Sequence, residues 1–472
     1  MPVTLVEEPD GLYLQCTVPQ AVADTRMQVV TSDMLGVPRI VEERYEQPDG
    51  SDYVLDTDLL GQALTATERK AGALNVLSPE RIASESGNGT TDMTNATDTN
   101  KTLGESMFAQ CGYAQDAIDK RVSQVWYEIF EGPNKFYWEN DEGLAYVMDT
   151  GNNDVRTEGM SYAMMIALQY DRKDVFDKLW GWVMRHMYMK DGHHAHYFAW
   201  SVAPDGTPNS NGPAPDGEEY FAMDLFLASR RWGDGEDIYE YSAWGREILR
   251  YCVHKGERYD GEPMWNPDNK LIKFIPETEW SDPSYHLPHF YTLFSLWADE
   301  ADRPFWAEAA RASRAFLHKA CHPVTGLCAE YSLYDGTPHN RSDRDQRHDL
   351  YYSDAYRTIA NMALDYAWFG ADPWQAENAE RPQKFFCETL CGRTNGIWEI
   401  DGTPLPGEAL HPVAITATNA QASLAAGGPN AEVCVRRFWN TPLRDGPRRY
   451  YDNCLYFFAL LALSGRYRIW PL

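Results

Sequence analysis

The chain has 472 residues, 42 basic and 70 acidic, for a formal net charge of −28. Such a charge repels phosphates, which excludes nucleic acid binding through a general basic surface and disfavours an anionic membrane. An apolar fraction of 43% with 16 Trp and 28 Tyr supplies ample core material and excludes wholesale disorder.

Residues 1 to about 60 carry short β-type runs, at Thr4-Leu5-Val6, Leu12 to Val18, Met27 to Val30 and Ile40-Val41. Turn residues separate them, which predicts a small β element or lid. The opening MPVTLVEEPDGLYLQ lacks a basic start and an apolar run, so it does not read as a secretory signal. The Ala- and Leu-rich stretch 62–77 predicts one helix, and the polar stretch 84–102 reads as a linker. Together these make an N-terminal extension over 1–104.

From 105 to 472 the pattern is helical. Helices are expected near 106–131, 158–170, 174–189, 217–232, 238–254, 286–299, 304–319, 354–370, 373–391 and 448–464, each with apolar residues at three- to four-residue spacing. Successive helices without alternating strands argue against doubly wound and TIM-type folds, and fit a mainly α chain closed as an α/α barrel or toroid. The most apolar run, Cys454 to Leu463, is too short to span a membrane. Nine scattered Cys read as reduced thiols and point to the cytoplasm. The close pairs Cys321/Cys328 and Cys387/Cys391 lack zinc-ligand spacing, so neither metal nor cofactor is expected.

Three acidic residues stand out. Glu158 opens an apolar helix, where an acid ordinarily serves the helix dipole. Gly159 and small neighbours leave its carboxyl uncovered, as a cleft requires; burial among aromatic rings could keep it protonated. Asp216 precedes a helix, and spacing alone favours an N-cap completed as a capping box by Glu219. Asp354 also reads first as an N-cap. Arg357 one turn on would lower its pKa, which suits a base. Aromatic rings beside carboxylates suit sugars, whose C–H faces stack on rings and whose glycosidic bonds carboxylates cut.

These blocks together resemble glycoside hydrolase family 8. Around the second acid, Ala214, Asp216, Gly217, Ala222, Leu225, Ala228 and Trp232 stand in register with the family signature. Pro215, Glu218, Phe221, Asp224 and Phe226 depart from it. The departures resemble a branch that releases xylose from the reducing end of oligosaccharides. Thr157 to Met165, Asp282 to Pro288, Ser353 to Thr358 and Leu410-His411-Pro412-Val413 also fit. The resemblance covers about 105–470 and leaves out residues 1–100.

The resemblance implies an inverting enzyme on an (α/α)6 barrel, acting on short β-1,4-xylo-oligosaccharides. Glu158 would be the general acid, Asp354 the general base, and Asp216 the holder of the distorted sugar. Inversion would place the Glu158 and Asp354 carboxyls roughly 6.5–9.5 Å apart. Arg357 would orient Asp354, while Trp138, Trp200 and Tyr285 would stack on sugars. The Leu-His-Pro segment would close the cleft beyond the scissile bond, with His411 meeting the last sugar. Other readings stand beside this one: an endo-acting xylanase, β-glucanase or chitosanase of the same family, an α/α-barrel sugar isomerase or epimerase, and a non-catalytic sugar binder. The cluster His193-His194-x-His196 reads as loop polarity or a sugar contact rather than a metal pair. Subunit number stays open.

Overall fold

In a computed structural model of the protein, the described residues are 3–8, 11–16, 31–35, 51, 52, 54, 106–341 and 345–470. The chain divides into two units, Met1–Asp98 and Thr99–Leu472. In the first, β1 (Val3–Glu8) and β2 (Gly11–Cys16) pair antiparallel, from Val3↔Cys16 to Glu8↔Gly11. They fall on the first two β-type runs. One helical turn covers Ser32–Leu35. The runs at Met27 to Val30 and Ile40-Val41, the helix at 62–77 and the linker at 84–102 lie outside the described residues.

The second unit is helical. After a turn at Met107–Gln110, its described residues form twelve longer helices. In chain order these are α1 (Gln115–Phe130), α2 (Thr157–Gln169), α3 (Lys173–His186), α4 (Pro215–Trp232), α5 (Tyr241–His254) and α6 (Pro288–Trp297). Then follow α7 (Arg303–Ala320), α8 (Thr358–Phe369), α9 (Trp374–Lys384), α10 (Pro412–Gln421), α11 (Asn430–Trp439) and α12 (Arg449–Leu463).

Side-chain chemistry sorts these helices into two shells. The odd-numbered ones are amphipathic: α1 buries Ile118, Val122, Val125, Trp126, Ile129 and Phe130, one stripe at three- and four-residue spacing. The even-numbered ones are buried almost all round. In α2 every residue except Glu158 is buried, and in α12 every residue from Tyr450 to Leu463 is. A helix apolar on all sides must be surrounded by protein, so the even helices form the inner ring. They pack in the order α2, α4, α6, α8, α10, α12 and back to α2, and each odd helix packs outside an even one. This closed ring of six helix pairs is the expected (α/α)6 barrel.

Several expected boundaries shift for local reasons. The helix expected over 106–131 breaks at Gly112, whose φ of 85° ends the first turn. The one expected over 354–370 begins as a 3-10 turn, Ser353–Arg357. That expected over 373–391 passes into a π turn, Phe385–Thr389, just after Pro382. Helices α10 and α11 were not anticipated. The sequence of α10, PVAITATNAQ, is rich in β-branched residues, and eight consecutive positions from Ala414 are buried, so propensity and periodicity are both silent. In α11, by contrast, buried Ala431, Cys434, Val435 and Phe438 do follow helical spacing.

One ion pair ties four helices. Arg314 on α7 reaches both carboxyl oxygens of fully buried Asp365 on α8, at 2.8 and 2.6 Å. Arg314 also donates to Thr292 on α6, and Gln375 on α9 donates to Asp365. No helix among the described residues is long and apolar enough to cross a membrane. Cys321 and Cys328 are buried thiols, whereas the Cys387 sulfur faces Cys434, at 3.5 Å, rather than Cys391.

Candidate active site

Residues in the first turns of the inner helices, or in the turns that lead into them, line two adjoining cavities. The larger, about 440 Å³, is lined by residues including Glu158, Trp200, Asp216, Phe274, Tyr285, Tyr331 and Asp354. The smaller, about 80 Å³, is lined by residues including Glu158, Asp354, Leu410, His411, Tyr450 and Tyr451. Arg156, Glu158 and Asp354 belong to both. Helix N-termini carry partial positive charge and unpaired N–H groups, so a ring of them suits carboxylates.

The carboxyls meet over one guanidinium. Arg357 is buried and donates to Glu158 Oε2 at 3.0 Å, to Asp216 Oδ2 at 3.2 Å, to Ser284 Oγ at 2.9 Å and to the Tyr162 hydroxyl. Its distance to Asp354 Oδ2 is longer, 3.9 Å. Arg357 was expected to orient Asp354; it stands at ion-pair distance from that carboxyl, but its hydrogen bonds go to Glu158 and Asp216. Proximity in sequence pointed to Asp354, but the long side chain reaches past it to the N-termini of α2 and α4.

Burial raises the Glu158 carboxyl to about 7; Arg357 and Arg156 pull it down, while Asp354 and Asp216 push it up. Tyr450 donates to Glu158 Oε1 at 2.9 Å. Gly159 makes that contact possible, because a Cβ there would lie 2.4 Å from the Tyr450 hydroxyl. Burial also raises Asp216 to about 6 against the pull of Arg357. A carboxyl still protonated near neutral pH and facing a cleft can donate a proton.

The expected N-caps are not formed. Pro215 occupies the first turn of α4, the cap position is Ala214, and no side chain caps it. Proline's fixed φ starts the helix one residue before Asp216 and frees that carboxyl for Arg357. Glu219 completes no capping box; it accepts instead from Tyr291 at 2.9 Å. Asp354 likewise lies inside its 3-10 turn rather than at the cap, next to Ser353 with φ 45°. A non-glycine residue in the left-handed region is strained, and such strain gathers at functional sites. Two signature departures have structural roles or settings: Glu218 accepts from the Phe198 amide, steadying the segment that carries Trp200, and Asp224 is wholly buried in α4. Burial pushes both carboxyls well above the usual carboxylate range.

Of the expected sugar-facing rings, Trp200 and Tyr285 line the larger cavity. Trp200 is 37% exposed with Arg156 over its ring, and Tyr285 stacks with Phe274, which sequence reasoning missed. Trp138 lines neither cavity. It lies in the strand Tyr137–Glu139 against Tyr146 and the core, so the stacking expectation is corrected there. His411 lines the smaller cavity. Tyr162, Tyr450 and Asp452 were also missed; nothing in their local sequence marks them.

Within the His cluster, His194 lines the larger cavity, while His196 bonds Tyr188 and stacks on Tyr251. His193, His194 and Glu277 form the one group of potential metal ligands among the described residues. His194 Nε2 and Glu277 Oε1 are 2.5 Å apart. Metal bonds of about 2.0–2.2 Å hold neighbouring ligand atoms farther apart than that. The two are hydrogen-bonded to each other.

Carboxyls on inner helix ends, a shared guanidinium and an aromatic cleft describe a site for cutting glycosidic bonds. The family model for glycosyl hydrolases family 8 matches residues 126–464. The chain belongs to that family. It is a family 8 glycoside hydrolase, which sets aside the isomerase and sugar-binder readings. It is 75% identical, over 80% of its length and all of the relative, to a protein of Bifidobacterium adolescentis named reducing end xylose-releasing exo-oligoxylanase. A protein of the same name from Halalkalibacterium halodurans is 56% identical over 77% of this chain and 94% of its own. Among solved family 8 structures, Rex8A of Paenibacillus barcinonensis complexed with xylose superposes with a TM-score of 0.77 at 53% identity. That match covers 80% of this chain and 100% of that one.

Proposed function

We propose that the protein is an inverting hydrolase that releases xylose from the reducing end of short β-1,4-xylo-oligosaccharides. Glu158 protonates the departing sugar oxygen. Asp354 takes a proton from a water attacking the anomeric carbon on the opposite face. Asp216, with Arg357, binds the sugar whose ring distorts toward the oxocarbenium-like transition state. Trp200, Tyr285 and Phe274 stack along the glycone.

One observation carries the exo reading. The cavities meeting at Glu158 and Asp354 differ about fivefold in volume, 440 against 80 Å³. The larger accommodates a chain of sugars. The smaller, lined by residues including Leu410 and His411, leaves space for no more than one. An endo-acting enzyme needs room on both sides. The high-identity relatives carry names that agree. A cytoplasmic setting belongs to the same proposal, since short oligosaccharides are importable and xylan is not.

Timed product analysis tests it. Xylotriose is expected to yield xylose and xylobiose, with the α anomer at the new reducing end. Xylotriitol, with its last ring opened, is expected to resist. Equal cleavage of both would remove the reducing-end requirement.

The pH profile follows from Glu158. Because its carboxyl titrates near 7, kcat/KM is expected to fall about tenfold per pH unit above that point. A Tyr450→Phe change removes a donor that favours the charged form, so the limb is expected to move to higher pH. Stability shares the origin. The folded state retains a proton that an unfolded Glu releases above 4.5, so this stabilising contribution is full below 4.5 and lost as pH rises through about 7. Urea unfolding at pH 4.5 and 8 measures it. Glu158→Gln is expected to reduce the difference by the Glu158 share, leaving that of the other buried carboxyls such as Asp216.

A further inference from the structure

His411 faces the smaller cavity, but its ring is set from behind. Asp452, in the first turn of α12, is fully buried. Its Oδ2 meets His411 Nδ1 at 2.9 Å and is bonded by Arg444 Nη1. Its Oδ1 accepts the Ala414 amide at 2.8 Å, one of the unpaired N–H groups at the start of α10. Arg444 also donates to the Leu410 carbonyl at 2.5 Å, and Asn453 clamps the Arg444 backbone in both directions. The Tyr451 ring packs against the imidazole. Among the described residues no partner meets His411 Nε2.

Two groups face His411 Nδ1, the accepting Asp452 Oδ2 at 2.9 Å and the donating Arg444 Nη1 at 3.4 Å, and the nearer carboxylate calls for a donor. His411 therefore carries a proton on Nδ1. Arg444 pairs with the same carboxylate, and together they orient the ring. The remaining nitrogen, Nε2, presents a lone pair to the small cavity, and a lone pair there seeks an O–H.

We propose that Asp452 is a specificity-determining positioning residue: by holding His411 as the Nδ1–H tautomer, it makes Nε2 an acceptor that reads the hemiacetal hydroxyl of a free reducing end. The anomeric O–H is what a terminal sugar has and an internal or methylated one lacks. A bridging oxygen would set lone pair against lone pair and leave a buried acceptor unpaired. Sites built to bond a hydroxyl reject analogues without it far more strongly than a hydrophobic wall does. Leu410 lines the pocket, and the Asp452–His411 pair adds a chemical criterion. This inference rests on the reducing-end reading above.

The test compares kcat/KM for xylotriose and methyl β-xylotrioside in the parent and in Asp452→Asn. An Asn cannot accept from Ala414 and from both His411 and Arg444, so the tautomer loses its enforcement. The preference for the free sugar is expected to fall at least about tenfold. If both substrates slow equally and the ratio holds, Asp452 is structural only and the proposal fails. Nitrogen-15 NMR of His411 in the parent protein is independent of how the variant folds. A protonated Nδ1 and bare Nε2 are expected; Nε2–H would overturn the proposal. Should the parent show no preference for the free reducing end, it is the functional reading that fails, while the NMR result still judges the tautomer.

Discussion

A Glu158→Gln variant is expected to hydrolyse xylotriose about 10²–10⁴-fold more slowly, the usual weight of a general acid. Gln keeps the shape and an oxygen for Arg357 Nη1, and its amide can meet the Tyr450 hydroxyl, so the network under the cleft persists. What disappears is the proton. The loss should depend on the leaving group. Fluoride departs without protonation, so hydrolysis of β-xylobiosyl fluoride should suffer much less. Asp354→Asn should lose a comparable factor on both substrates, because both need an activated water. Steady-state rates on the two substrates separate the roles. An equal loss on both in Glu158→Gln would strike out its role as the acid.

The second large effect concerns stability. Arg314→Ala is expected to cost about 3–5 kcal/mol, because Asp365, wholly buried, would lose its only cationic partner among the described residues. Thr292 would lose its Arg314 donor, and Gln375 would be left to bond Asp365 without the guanidinium. Denaturant unfolding measures the cost. The double variant Arg314→Met, Asp365→Leu should recover much of it, since an apolar pair of similar volume removes the stranded charge. A double variant no better than Arg314→Ala would mean that packing, not charge, holds α6 to α9 together here.

The shells of the barrel were unequally legible. Outer helices such as α1 announce themselves, because one face meets water and periodicity records that. Inner helices with strong formers, such as α2 and α12, show as apolar runs. Helix α10 shows as neither, since the environment rather than the residues makes it helical. The three acids at helix starts were visible as residues with unusual surroundings. Their local roles were misjudged: spacing makes Asp216 a cap, whereas Pro215 moves the helix start by one residue and hands the carboxyl to Arg357. Trp138 failed differently, because an indole suited to sugars is as readily spent on the core.

By itself the sequence determined the composition class, the helical character of residues beyond 105, and the positions of Glu158, Asp216, Asp354 and His411 in blocks characteristic of a family. These are local properties, carried by residue type and spacing. Only the tertiary structure decided that Arg357 bonds Glu158 and Asp216, that Tyr450 approaches Glu158 across Gly159, and that Asp452 sets the ring of His411. Each of these joins inner helices far apart in the chain. Closing the ring brings their N-termini together, and burial there both raises the Glu158 pKa and gives one cavity five times the volume of the other. Dielectric and volume belong to the assembled barrel, and no stretch of the chain encodes them alone.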